Sequence, residues 1–195
     1  MDLNYDFFDN ADRRDPKKGR ILIAEPFLQD VYFKRSIVLL TEHNDEGTVG
    51  FVLNKPVDMK VSDVINDFPK IDIDLSIGGP VATNTLHYIH TLGNIIPNSM
   101  KVIDNIYWGG DFDVIRELIT SKAIDKEQIK FFLGYSGWKA KQLDNELKEQ
   151  SWLVIDMKPQ AIMTGDLDSI WKDTLSNLGE KYKTWINSPE SPSLN

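Results

Sequence analysis

SIVLLTEHNDEGTVGFVLNKP, residues 36–56, is the stretch that decides the fold of this chain. Two runs rich in β-branched and large apolar residues, 37–42 and 48–54, flank the polar segment 43–47. Because Asn, Asp and Gly in that segment favour a tight turn, the stretch predicts a hairpin of two strands. The first strand carries apolar residues on both faces, which is typical of a strand in the middle of a sheet.

The segments around the hairpin predict further strands and short helices. A strand is predicted at 20–24 and ends at Glu25-Pro26, because proline cannot donate a hydrogen bond to a sheet. Alternation or short apolar runs predict strands at 71–77, 86–92, 103–107, 130–133 and 152–156. Apolar residues at helical spacing predict helices at 60–68, 112–119, 138–150 and 166–181.

Strands outnumber helices, and the first pair is a tight antiparallel hairpin. We therefore predict a single α+β domain over 20–186, with a mixed, mostly antiparallel, strongly bent sheet and three or four helices packed outside. A three-layer α/β sandwich is the alternative. Residues 1–19 are predicted to form an N-terminal arm, and the proline- and serine-rich residues 187–195 a disordered tail.

Composition and charge restrict the class of protein. The chain has 195 residues, of which 41% are hydrophobic and 27% charged, a balance typical of one globular domain. Its 30 acidic and 22 basic residues give a net charge of −8, so nucleic acid is not an expected partner. The chain lacks a secretory signal pattern and an apolar run long enough to span a membrane, so we expect a cytoplasmic protein without membrane association.

Reactive side chains are few. The chain contains no cysteine, which excludes disulfides, thiolate zinc sites and cysteine nucleophiles. Gly134-Tyr135-Ser136-Gly137-Trp138 differs by one residue from the nucleophile elbow G-x-S-x-G. However, Trp138 replaces the last glycine, and all three histidines precede Ser136, whereas a hydrolase of that order needs one downstream. We therefore predict a turn at 134–137, with Ser136 capping the helix that follows.

His43 lies beside Glu42, Asp45 and Glu46, a set of donors that a divalent metal accepts. Hydrated turn residues are the commoner role of such side chains in a hairpin loop, and we predict no metal there.

Two double glycines, 78–79 and 109–110, are predicted to form tight turns at strand ends. Asp111 follows the second pair and is placed to cap the next helix. Neither pair completes a phosphate-binding fingerprint. His87 and His90 are three residues apart on a predicted strand, so they should point to opposite faces and cannot chelate one ion together.

Five blocks of the chain, taken together and in order, carry a family resemblance. The blocks are GRILIAEP at 19–26, TEHNDEGTVGFVLNKP at 41–56, GGPV at 78–81, YWGGD at 107–111 and GYSGWKAKQLDNEL at 134–147. The chain resembles the YqgE/AlgH family of bacterial proteins. The resemblance implies a cytosolic, single-domain α and β protein from a family sometimes labelled transcriptional regulators, without an established activity. It also implies that the Ser136 hydroxyl is dispensable, because similar sequences usually have alanine there.

We predict a non-enzymatic binding or regulatory protein that acts through a protein partner or a small ligand and needs no cofactor. The alternatives are an enzyme of unknown reaction at the face of the glycine turns, and a DNA-binding regulator. An enzyme requires the candidate side chains to converge on one cleft. The candidate ligand-binding residues are Glu25, His43, Trp108, Asp111, Tyr135 and Ser136. An apolar partner surface would involve Phe7, Phe8, Tyr32 and Phe33.

Overall fold

A computed structural model of the protein describes residues 14–69 and 71–189, which form a mostly antiparallel sheet with helices. The strands in this part of the chain are β1 (Ile21–Ala24), β2 (Ile37–Asn44), β3 (Gly47–Val52), β4 (Pro56–Lys60), β5 (Asp74–Ile77), β6 (Val81–His90), β7 (Met100–Ile103), β8 (Ile106–Trp108), β9 (Ile129–Lys139) and β10 (Trp152–Ile155). The α-helices are α1 (Val61–Val64), α2 (Phe112–Thr120), α3 (Gln142–Lys148), α4 (Pro159–Thr164), α5 (Ile170–Leu178) and α6 (Lys183–Ile186). Two 3-10 turns lie at Lys126–Gln128 and Glu180–Tyr182. The mostly antiparallel sheet is consistent with the predicted α+β class, and the described residues form six α-helices where three or four are predicted.

The predicted hairpin is present as β2 and β3. The strand order β10-β1-β2-β3-β9-β6-β8-β7 places both strands inside the sheet. Residues 37–40 of β2 are buried on both faces, as the sequence indicates. The turn is closed by Asn44, whose Oδ1 accepts hydrogen bonds from the backbone N–H groups of Glu46 at 2.9 Å and Gly47 at 3.2 Å. The polar segment therefore has turn chemistry, as expected.

Strand β9 differs most from the prediction. The predicted turn at 134–137 and helix from 138 are wrong, because one continuous strand runs from Ile129 to Lys139 and α3 begins only at Gln142. Gly134 lies inside the strand at φ +64°, a left-handed conformation, at the point where the register with β6 shifts between Val81 and Leu86; we call this irregularity the bulge. The bulge shifts the alternation of side chains. In a regular strand Phe131 and Tyr135, four residues apart, would share a face, but here they pack into different apolar clusters.

Strand β9 also changes neighbours at this bulge. Its last residues pair with β3, whereas its first half pairs with β6 on one side and, in parallel, with β5 on the other. Gly78, just after β5, enters the gap between the two neighbours: its carbonyl accepts from the N–H of Val52 and the Oγ of Ser136, each at 2.9 Å. A Cβ atom on Gly78 would lie 2.4 Å from the carbonyl oxygen of Gly134. Only glycine fits this contact, which we call the glycine junction (residues 78–79 and 134–136).

Apolar side chains from both faces of the sheet form three clusters. Alternate residues of β1 show the division, since Ile21 and Ile23 belong to the first cluster and Leu22 and Ala24 to the third. The first cluster includes residues of α4, α5 and α6, the second residues of α1 and α2, and the third Leu143 of α3. Helices therefore cover parts of both faces.

Several elements are shorter than their patterns predict. Only Val61–Val64 of the segment 60–68 is helical, and the strand predicted at 71–77 is confined to Asp74–Ile77. The last predicted helix is divided at Gly179, whose φ of +119° ends α5. Helix α4 was not predicted, because six residues are too few for a helical period to show.

The predicted termini lie only partly within the described residues. At the end of the arm, the guanidinium groups of Arg14 and Arg20 pair with the carboxylate of Asp156, just after β10. Residues 1–13, including Phe7 and Phe8, and residues 190–195 of the predicted tail lie outside the described residues.

The glycine junction predicts a difference between two glycine substitutions. Gly134 and Gly109 have nearly the same φ, +64° and +67°, but an alanine Cβ would approach the Val81 carbonyl oxygen to 2.6 Å at 134 and meet nothing within 4 Å at 109. We expect Gly109→Ala to lower the free energy of unfolding by about 1 kcal/mol, from backbone strain alone. Gly134→Ala should lower it by about 3 kcal/mol, because the clash is added.

Urea denaturation followed by circular dichroism measures both variants, and Gly109→Ala is the matched control for backbone strain. Equal losses in the two variants would show that close packing at Gly134 does not constrain the fold.

Candidate functional site

The predicted site residues do not converge on one cleft. Ser136 is completely buried in the glycine junction, where its hydroxyl donates to the Gly78 carbonyl. The predicted capping role of Ser136 is therefore wrong, because the residue lies in the middle of β9. Its hydroxyl is inaccessible to a substrate, which also argues against a nucleophile.

Three other candidates lie apart from one another. Glu25 follows β1, and desolvation raises the pKa of its carboxyl above the usual value. His43 lies on β2, where its Nδ1 is 2.7 Å from Thr48 Oγ1 across the hairpin. Asp111 is the N-cap of α2, as predicted: its Oδ1 accepts hydrogen bonds from the N–H groups of Asp113 at 3.0 Å and Val114 at 3.3 Å. The hydrogen bonds of His43 and Asp111 therefore stay within their own hairpin and helix, as expected of structural residues.

The remaining two candidates, Trp108 and Tyr135, come together around His87. The ring centroid of His87 lies 5.7 Å from that of Tyr135 and 6.4 Å from that of Trp108. Phe51 is buried beneath them, with its centroid 5.3 Å from His87 and 5.6 Å from Trp108. The three half-buried rings, which we call the aromatic face (His87, Trp108 and Tyr135), form the candidate functional site.

Strand register brings the aromatic face together. Trp108 of β8 pairs with Ile89 of β6, two residues beyond His87. Tyr135 of β9 pairs with Val81 at the other end of β6. Because the bulge at Gly134 changes the alternation of β9, Tyr135 packs on the same apolar cluster as Trp108. Three strands, β6, β8 and β9, therefore supply one surface.

Hydrogen bonds orient the imidazole of His87. Its Nε2 lies 2.9 Å from Thr85 Oγ1, and the Thr85 hydroxyl donates to the carbonyl of Ala82 at 2.7 Å. Since that hydroxyl has used its proton, Nε2 is the donor and Nδ1 is left as the acceptor in the neutral ring. Desolvation lowers the pKa of His87 below its usual value of 6.5. At neutral pH the aromatic face therefore presents an uncharged imidazole.

The loop that follows Trp108 is held by a second histidine and a tyrosine. The N–H of Gly109 donates to the Tyr88 carbonyl at 3.0 Å, and His90 Nε2 donates to the Gly109 carbonyl at 2.8 Å. The hydroxyl of Tyr88 donates to the Gly110 carbonyl at 2.6 Å, and burial raises the pKa of Tyr88 to about 12. His90 is fully buried and has a structural role. His87 and His90 face opposite sides of β6, as predicted.

The last sequence block used for the resemblance, residues 134–147, also has a structural role. The Oε2 atom of Glu146 on α3 accepts from the indole N–H groups of Trp138 at 2.8 Å and Trp152 at 2.7 Å. Phe33 stacks on Trp138 and meets Trp152 edge-on. Trp138 was predicted on a helix and instead lies on β9, where these contacts bury it. This block therefore stabilises the contact between α3 and the sheet.

The described residues offer neither a cluster of metal ligands nor a helix suited to a membrane. Within 14–69 and 71–189, no group of three or more histidine, aspartate or glutamate side chains is arranged to hold a metal ion. None of the helices in these two ranges combines the length and the apolar character that crossing a bilayer requires.

Sequence reasoning did not select His87 as a site residue. The pattern placed it on a strand, but its role depends on the pairing of β6 with β8 and β9, which no local signal reveals. The sequence gives one weak indication of the site: His87 lies on a strand with polar residues, and Trp108 and Tyr135 each lie next to a glycine.

Comparisons with known proteins agree on the family. A family model described as AlgH-like matches residues 21–183. UPF0301 proteins of Bacteroides fragilis and Parabacteroides distasonis are 44% and 46% identical, covering 100% and 92% of both chains. The solution structure of AlgH from Pseudomonas aeruginosa superposes with a TM-score of 0.71 at 24% identity, covering 92% of this chain and 99% of that chain. Protein DIP2367 from Corynebacterium diphtheriae gives a TM-score of 0.71 at 23% identity, covering 85% and 88%. The chain therefore belongs to the AlgH-like, UPF0301 family.

Proposed function

We propose that this protein is a non-enzymatic binding protein that holds a small, ring-containing ligand on the aromatic face. The observation that carries the proposal is the convergence of His87, Trp108 and Tyr135, three half-buried rings that come from three different strands. Each ring is fixed by strand pairing or by hydrogen bonds of the neighbouring backbone. Such a surface is preorganised, so a ligand loses little free energy to ordering it.

The chemistry of the aromatic face supports stacking and a few directed hydrogen bonds. Aromatic contacts of this kind contribute about 1 kcal/mol each beyond area burial. The Nδ1 atom of His87 accepts a hydrogen bond, and the Tyr135 hydroxyl accepts or donates one. A neutral, planar heterocycle with a donor group on its edge matches these properties.

The separation of the other candidates supports binding rather than catalysis. Glu25, Asp111 and Ser136 hold positions in a strand end, a helix cap and the buried junction. Nucleophilic catalysis needs a nucleophile within hydrogen-bond distance of a base, and none of these three meets His87 in the described bonds. With a net charge of −8, any regulatory action would pass through this ligand or a protein partner rather than through duplex DNA.

Fluorine NMR of protein labelled with fluorotryptophan tests this proposal. The chain has five tryptophans, and Trp108 is half-buried while Trp138, Trp152, Trp171 and Trp185 are at most 5% exposed. Adding the small-molecule fraction extracted from bacterial cells should shift the Trp108 resonance and leave the other four in place, because only Trp108 lies on the aromatic face.

The matched variants are His87→Ala and His43→Ala, which remove a histidine from the aromatic face and from the hairpin. The Trp108 shift should disappear in the first and persist in the second. An unchanged Trp108 resonance in the wild-type protein, or equal shifts of all five resonances, would contradict a ligand site on this face.

An enzyme acting at the same face is the second candidate. The observation in its favour is the lowered pKa of His87, which leaves the half-buried imidazole neutral and able to accept a proton near pH 7. Conversion of the bound compound by the wild-type protein, lost in His87→Gln, would favour the enzyme over the binding protein.

The lowered pKa of His87 also predicts how stability depends on pH. Between the usual pKa of 6.5 and the lower value in the folded protein, the unfolded chain binds more protons than the folded one. The free energy of unfolding should therefore fall as the pH is lowered below about 6.5.

His87→Gln should make this acid loss shallower, without abolishing it, because burial also lowers the pKa of His90. Urea titrations across the acid range measure the slope, and the alkaline range is the control, where the two proteins should differ by a constant amount. Identical acid slopes in the two proteins would show that His87 is not buried as described.

A further inference from the structure

A cavity of about 250 Å³ at the end of the hairpin concentrates positive charge on this acidic protein. Among the described residues, four cationic side chains and one carboxylate line it, a formal sum of +3 against −8 for the whole chain. The lining residues are Lys34, Arg35, Asn54, Lys55, Leu167, Asp168, Trp171 and Lys172. Two of these residues, Asn54 and Lys55, belong to the N-K-P end of the stretch that decides the fold.

Asn54 and Lys55 hold the loop 34–35, which carries two of the positive charges. Asn54 Oδ1 accepts from the N–H of Ile37 at 2.9 Å, and its Nδ2 donates to the Arg35 carbonyl at 3.0 Å. Lys55 Nζ donates to the carbonyl of Lys34 at 2.8 Å. Arg35 lies in the left-handed region at φ 52°, a conformation that persists only where neighbours impose it. Side chains of Asn54 and Lys55 therefore hold the backbone of the loop 34–35 in place.

The guanidinium group of Arg35 is oriented by an indole. Its Cζ atom lies 5.2 Å from the centroid of Trp171, a cation–π contact. Trp171 is itself 2% exposed and donates from Nε1 to the Ala24 carbonyl at 3.0 Å. Arg35 also lies 3.3 Å from Ser188 Oγ and donates to the Ser188 carbonyl. A planar, fixed guanidinium is the geometry that recognises phosphate oxygens.

We propose that this cavity, the cationic pocket (Lys34, Arg35, Lys55 and Lys172), binds a small phosphate-bearing anion. Lysine and arginine charges from the loop 34–35, the strand end at 55 and helix α5 surround one space. Their combined field attracts an anion despite the acidic surface around it. The cavity is below the usual size of a drug-like site, which favours a phosphate or diphosphate group over a large ligand. Asp168 reduces the net charge without reversing its sign.

This site is separate from the aromatic face and does not depend on the proposed function. Its lining residues come from the segment between β3 and β4, the loop before β2 and the α4–α5 region, whereas the aromatic face comes from β6, β8 and β9. Failure of one site to bind its ligand therefore leaves the other unaffected.

Isothermal titration calorimetry with inorganic pyrophosphate tests the proposal. The wild-type protein should bind pyrophosphate saturably, and Lys55→Gln and Lys172→Gln should each weaken binding about tenfold or more, because each removes one charge from the pocket. Lys148→Gln is the matched control, since Lys148 is an exposed lysine on α3, outside the pocket. It should leave the affinity unchanged.

Lys172→Gln alters an exposed side chain and keeps the test valid if Lys55→Gln unfolds the loop. Citrate, whose charges are carboxylates, should bind more weakly than pyrophosphate. Absence of saturable pyrophosphate binding by the wild-type protein would overturn the proposal. Equal weakening in Lys148→Gln would overturn the location, and citrate binding as tight as pyrophosphate would overturn the phosphate assignment.

Discussion

The contact of Gly78 and Gly79 with the backbone of residues 134–136 is the constraint on which the rest of the structure depends. Strand β9 pairs with β3 along its last residues and with β5 and β6 along its first half, so it joins two sets of strands. The chain at 78–79 passes close to β9 where the neighbours change. Side chains would exclude this approach, because a Cβ on either glycine would come within 2.4 Å of atoms of residues 134–136.

The two candidate sites follow from this junction in different ways. On β9, the bulge at Gly134 turns Tyr135 toward the cluster that holds Trp108, which completes the aromatic face. On the β3 side, the Val52 N–H binds the Gly78 carbonyl, and the Lys55 carbonyl accepts from the Ile77 N–H at 2.8 Å. These bonds fix the strand end that carries the cationic pocket. One backbone contact thus positions both groups of polar and aromatic side chains.

Local patterns predicted the elements whose signals are local. The hairpin, with its buried strand and its Asn44 turn, and the Asp111 cap of α2 depend on a few consecutive residues, and both are present. The segment 134–138 was assigned to a turn and a helix because glycine at two positions is typical of a turn. In the structure, pairing with β3 and β6 outweighs that preference, and the glycine serves as a bulge.

The sites were less predictable than the fold for the same reason. Trp108 and Tyr135 were selected for the glycines beside them, while His87 joins them only through the register of three strands. Arg35 and Lys172 are far apart in the sequence, so the charge of the cationic pocket is invisible in a list of residues. Ser136 is a candidate because its surroundings resemble a catalytic motif. Its complete burial shows that it packs the glycine junction instead.

Hydrogen exchange of the Val52 and Gly78 amides, followed by NMR, tests the role of the glycine junction most directly. Both amides bond across the junction, to Gly78 and Leu133 respectively. If the junction is the constraint that unites the sheet, both should exchange only through global unfolding, with the same free energy as urea denaturation reports. Exchange of either amide through local opening, as fast as in the exposed segment 82–85, would contradict the central role given to this contact.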